Sequence, residues 1–109
     1  MSEADRLRLD HILDQIERIE RYTVGGRSEF DGDEMIQDAV LRCLSVIGEA
    51  AASLTPGTAE SLPSLPPHLP RGMRNRLVHE YWRIDRDIVW ATLENDLPDL
   101  KRDIEGLAR

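Results

Sequence analysis

Leu9, Ile12, Leu13, Ile16 and Ile19 recur at intervals of three and four, so residues 5–23 predict an amphipathic helix with one apolar face. Gly25-Gly26 ends it. Residues 27–32 carry no such stripe and read as a loop, with Phe30 placed to anchor it onto a core. A second helix over residues 33–54 carries Ile36, Ala39, Val40, Cys43, Ile47, Ala50, Ala51 and Leu54, a stripe wide enough for a bundle interior. Small residues at 48 and at 50–52 permit close helix contact.

The pattern then breaks. Five of the six prolines fall within residues 55–70, at Pro56, Pro63, Pro66, Pro67 and Pro70, and each fixes φ and removes a backbone donor. This stretch reads as a stiff connector, with residues 58–62 able to make one helical turn. A third helix over residues 71–81 buries Met73 and Leu77. Asp85 is the natural N-cap of a fourth, whose apolar positions are Val89, Trp90, Leu93, Leu97, Leu100, Ile104 and Leu107. From Trp90 onward their spacing resembles a heptad seam. Pro98 must kink or restart this helix. Neither strand-like alternation nor an internal repeat is visible. The pattern therefore predicts one all-α domain over residues 1–109, an antiparallel bundle of four main helices.

Composition narrows the class. A chain of 109 residues with 40% hydrophobic and 32% charged content suits one soluble domain. It has no apolar run long enough for a membrane span, and its acidic start, Met1-Ser2-Glu3-Ala4-Asp5, is unlike a signal peptide, so the cytoplasm is the expected compartment. The single cysteine, Cys43, sits among Ala39, Val40, Ile47 and Ala50 and reads as a small buried hydrophobe. His11, His68 and His79 are scattered without ligand spacing, so neither a metal nor another cofactor is expected.

The net charge of −7 opposes binding of a polyanion over most of the surface. Its distribution changes that inference. Residues 71–86 hold Arg71, Arg74, Arg76, Arg83 and Arg86 against Glu80 and Asp85, a local +3 in a remainder of −10. Such an island suits a focused contact with phosphate. The plainer alternative is a solvated helix face laced by Arg76 with Glu80 and Arg83 with Asp87, pairs worth a few tenths of a kcal/mol.

Within the island, Arg74-Asn75-Arg76-Leu77-Val78-His79-Glu80-Tyr81 gathers a guanidinium, a carboxamide, an imidazole and a phenol. Arginine presents a planar fork matching a phosphate, histidine moves protons near neutral pH, and asparagine can hold a ring or bind a phosphate oxygen. Asn75 and His79, four apart, share a helical face, whereas Arg74 and His79 diverge by roughly 140°. Either the helix bends near His79 or a second chain completes the site. A two-fold homodimer with this helix at its seam brings two copies of Arg74, Asn75 and His79 around one cleft.

The spacing from Arg74 and Asn75 to His79 resembles the signature of HEPN domains, and the continuation through Glu80 to Tyr81 resembles the HepT branch. The likeness extends along the chain through Asp10 to Ile16, Gln37 to Arg42, Ile47 to Ala51, Met73 to Tyr81, Asp87 to Trp90 and Asp96-Leu97-Pro98. It implies a HEPN-like helical homodimer acting as a metal-independent endoribonuclease. It further implies a toxin, with an MNT-type nucleotidyltransferase antitoxin as partner that adds AMP to the tyrosine corresponding to Tyr81. Arg74, His79 and Asn75 are then the catalytic candidates, with Arg71 and Arg76 binding RNA. One departure stands out. The family usually places Pro-Trp before the motif, and this chain has Pro66-Pro67-His68-Leu69-Pro70-Arg71-Gly72, so its lead-in is expected to differ.

Several side chains admit two readings. Trp90 fits core or dimer packing, whereas Trp82, next to the motif, fits packing or base stacking equally. Glu49, beside the second helix's stripe, reads as solvated or as orienting a motif arginine. For the chain as a whole, the alternative to an RNA-cutting toxin is a noncatalytic helical adaptor that binds a nucleotidyltransferase and its nucleotide.

Overall fold

The computed structural model describes residues 1–65 and 85–107, and every regular element within them is helical. In chain order these are α1 (Glu3–Tyr22), α2 (Gly26–Gly32), α3 (Glu34–Ala52), α4 (Pro56–Glu60), α5 (Arg86–Ala91), a π-helical turn (Thr92–Asp96) and α6 (Leu97–Leu107). The all-α bundle expected from the periodicity forms.

Capping sets where the long helices begin. The Ser2 hydroxyl accepts the Asp5 N–H at 3.1 Å to open α1, and the Asp33 carboxylate accepts the Met35 and Ile36 N–H groups at 2.9 and 3.3 Å to open α3. At the other end of α1, the Thr23 hydroxyl donates to the Ile19 carbonyl at 2.7 Å. Leu9, Ile12, Ile16 and Ile19 of α1 face the core, and α1 packs chiefly along α3, which contributes Val40, Cys43, Leu44, Ile47 and Ala51. Leu97, Leu100 and Ile104 of α6 close the same cluster. Burying each large aliphatic side chain contributes about 1.5–3 kcal/mol, which makes this three-helix contact the main source of cohesion.

Residues 27–32 correct the expected loop. They form α2, and Phe30 is the anchor, 1% exposed. The chain turns at Gly26, whose φ of 84° falls in the left-handed region that glycine enters without a Cβ clash. Two contacts then hold so short a helix. Arg27 pairs with Asp31 at 3.3 Å, and the buried Gln37 amide donates to the carbonyls of Phe30 and Asp31 at 2.8 and 3.1 Å. Gln37 thus satisfies the open carbonyls of α2 from the next helix.

Pro98 restarts the last helix in an identifiable way. Lacking an N–H and clashing with the carbonyl four residues back, it cannot continue the regular ladder. The preceding turn widens instead, so that the Leu97 N–H reaches the Thr92 carbonyl, five residues back, and Pro98 falls in the first turn of α6. Asp85 caps α5 as anticipated, accepting the Ile88 N–H at 3.1 Å. Among the described residues no helix is long and apolar enough to cross a membrane.

Candidate functional site

The sequence-predicted site residues Arg71, Arg74, Asn75, Arg76, His79 and Tyr81, the helix expected over 71–81, and Trp82 lie outside the described residues. The structure describes what flanks them on either side.

Upstream, α4 begins the connector, and a buried carboxylate holds it. Asp5, in the first turn of α1, accepts the Thr55 N–H at 3.3 Å, the Thr55 hydroxyl at 2.5 Å and the Thr58 hydroxyl at 2.7 Å, with Arg8 at 3.4 Å. Donation from the two threonine hydroxyls lowers its pKa to about 2, against the opposing effect of burial. Pattern reading saw only an acidic N-terminus here, since the threonines that define Asp5's role lie some fifty residues away. Beyond α4, Leu62 is buried, and the Asp103 carboxylate of α6 accepts the Ser64 N–H at 2.9 Å.

Downstream, Arg27, Asp31, Asp85, Arg86 and Asp87 line an open polar recess of about 410 Å³. Arg27 bonds Asp87 across sixty residues of chain, and Arg86 donates to the Asp31 carbonyl at 2.9 Å. The Asp87 contact, then Asp31, raises the Arg27 pKa, so this guanidinium stays charged. Asp87, read from spacing as a partner for Arg83, contacts Arg27, and Arg83 lies outside the described residues. Arg86, counted in the basic island, stands in a recess of two guanidiniums and three carboxylates, so its field is offset locally. The other arginines of the island, at 71, 74, 76 and 83, lie outside the described residues.

Phe30 and Trp90 pack against each other at a centroid separation of 5.4 Å, which assigns Trp90 to core packing. Cys43 is buried and free, and desolvation raises its pKa, the state of an unreactive thiol. Glu49 is exposed on α3. No group of three or more His, Cys, Asp or Glu side chains is arranged to hold a metal among the described residues.

A helical bundle whose two described parts bracket an Arg- and His-bearing segment is the frame that the HEPN likeness implied. Residues 12–107 match the family described as ribonuclease HepT-like, and the chain belongs to the HepT-like ribonuclease family. Among its relatives, the protein named "Probable ribonuclease HepT" of Thermococcus cleftensis is 34% identical over 102 residues, covering 93% of each chain. A protein of Caldanaerobacter subterraneus named as a candidate RNase is 33% identical over 100 residues, covering 91% of this chain and 89% of its own. A third, of Methanocaldococcus jannaschii and named in the same way, is 36% identical over 81 residues, covering 74% and 70%. No solved structure matches the chain.

Proposed function

We propose that this chain is the endoribonuclease toxin of a toxin–antitoxin pair, cutting RNA at a composite site across a homodimer interface. The observation that carries the reading is the ribonuclease family match over residues 12–107, a span that includes Arg74, Asn75 and His79. Residues 1–109 act as one helical domain, in the cytoplasm.

The chemistry follows from the side chains. His79 of one protomer takes the proton of an RNA 2′-hydroxyl as that oxygen attacks the adjacent phosphorus, and the second copy's His79 protonates the departing 5′ oxygen. Arg74 stabilises the charge that builds on the non-bridging oxygens, and Asn75 orients His79 or the phosphate. Arg71 and Arg76 hold flanking phosphates through their planar forks. The acidic remainder of the chain confines binding to this region.

Silencing acts at Tyr81. A cognate MNT-type nucleotidyltransferase transfers AMP from ATP to its phenol with release of pyrophosphate, which places a bulky anion among the arginines and competes with substrate phosphate. RNA incubated with the purified dimer in the presence of a chelator tests the nuclease reading. Products ending in 2′,3′-cyclic phosphate and 5′-hydroxyl, with DNA of the same sequence left intact, support it, and unaltered RNA rejects it.

A further inference from the structure

The connector into the proposed catalytic segment is gripped at two points by carboxylates from different helices. Asp5 of α1 binds its start through Thr55 and Thr58, and Asp103 of α6 binds it further on through the Ser64 N–H at 2.9 Å. Backbone donors are scarce there. Pro63 precedes Ser64 and Pro66-Pro67 follow shortly, so Ser64 and Leu65 carry the N–H groups of that stretch, and Leu65 donates to the Leu62 carbonyl at 3.0 Å. Among the described residues of the connector, Ser64 is the amide that ties it to α6. Among the described residues no cation pairs with Asp103, and the Ser64 N–H is the partner its carboxylate has there.

We propose that Asp103 is a positioning residue for RNA cleavage, fixing the point from which the chain sets out toward Arg74, ten residues on. The role rests on the ribonuclease reading above. Its logic is mechanical. Proline-rich chain is semi-rigid and transmits a shift at its anchor instead of absorbing it. Downstream of that interval, the Asp85 cap orders the start of α5, and the Arg86 contact with the Asp31 carbonyl and the Arg27 bond to Asp87 tie α5 to α2. A displacement of about 1 Å at a reacting group costs on the order of a hundredfold in rate, so the position of the described anchor bears on the chemistry.

Asp103→Ala and Asp103→Asn separate this role from bulk stability, because the asparagine carbonyl still accepts the Ser64 N–H. With Asp103→Ala, kcat for RNA falls about tenfold while KM stays within about twofold, since misalignment acts on the chemical step. The melting temperature and dimer state stay close to wild type, and the Ser64 amide exchanges its hydrogen faster. Asp103→Asn returns kcat to within about threefold of wild type. Wild-type kcat in Asp103→Ala, a change confined to KM, or an asparagine variant as slow as the alanine one overturns the proposal while leaving the ribonuclease reading in place. Wild-type protein inert toward RNA overturns that reading, and this role with it.

Discussion

The rings of Phe30 and Trp90 meet at 5.4 Å with their planes tilted by 41°, joining a helix that local pattern does not reveal to the one that carries the chain away from the motif. Phe30 is 1% exposed and Trp90 is half-buried, so the phenyl ring is the deeper partner. Phe30→Ala leaves a cavity and removes this contact, a cost of about 3–5 kcal/mol. Urea denaturation reads it directly. Phe30→Leu, which nearly conserves volume, costs under about 1.5 kcal/mol, and an alanine variant equally mild contradicts the packing described.

Asp5 makes stability depend on acid. Its folded pKa of about 2 lies below the ordinary 3.8, so the ionised carboxylate favours the folded state. That contribution is fully present above the unfolded value and is lost as pH falls from about 3.8 through about 2. Asp5→Asn removes it, so the variant is less stable at neutral pH, and the gap from wild type narrows through that window. Denaturation midpoints measured from neutral pH down through the window test the sign. A gap that widens on acidification contradicts it.

Arg27 and Asp87 link α2 to α5 at the surface, with side chains 44% and 84% exposed. Water and salt screen such a pair, so a double-mutant cycle through Arg27→Ala and Asp87→Ala yields a coupling of about 1 kcal/mol or less. Raising the salt to about 1 M shrinks it further. A coupling above about 2 kcal/mol places more of the interhelix grip in this contact than its exposure allows.

Tyr81 is the proposed target of silencing. Intact mass of the chain coexpressed with the proposed nucleotidyltransferase partner shows AMP increments that vanish in Tyr81→Phe, and the unmodified phenylalanine variant cuts RNA even with the partner present. Increments persisting unchanged in that variant place the modification elsewhere.

What the sequence disclosed depended on the range of the interactions involved. α1 and α3 were legible because Leu9 to Ile19 and Val40 to Ala51 repeat at helical spacing over many turns, and the observed helices begin and end within about two residues of those expected. α2 was not, because its seven residues offer one large apolar side chain, and its stabilising donor, Gln37, belongs to the following helix. Pro98 announced a disturbance in the last helix, but a one-residue widening of the preceding turn leaves no mark in hydrophobic spacing. The grips on the connector were hidden for a related reason. Asp5 and Thr58 are 53 residues apart, and Ser64 and Asp103 are 39 apart. The chemical candidates, by contrast, were legible as residue types within one short stretch, and the family likeness drawn from them agrees with the ribonuclease match over residues 12–107.

His79→Ala, assayed for single-turnover RNA cleavage alongside light scattering of the same sample, tests the central claim most directly. The account predicts a loss of about a hundredfold or more in the cleavage rate, with the dimer and the melting temperature unchanged. Undiminished cleavage by a well-folded His79→Ala dimer would contradict it.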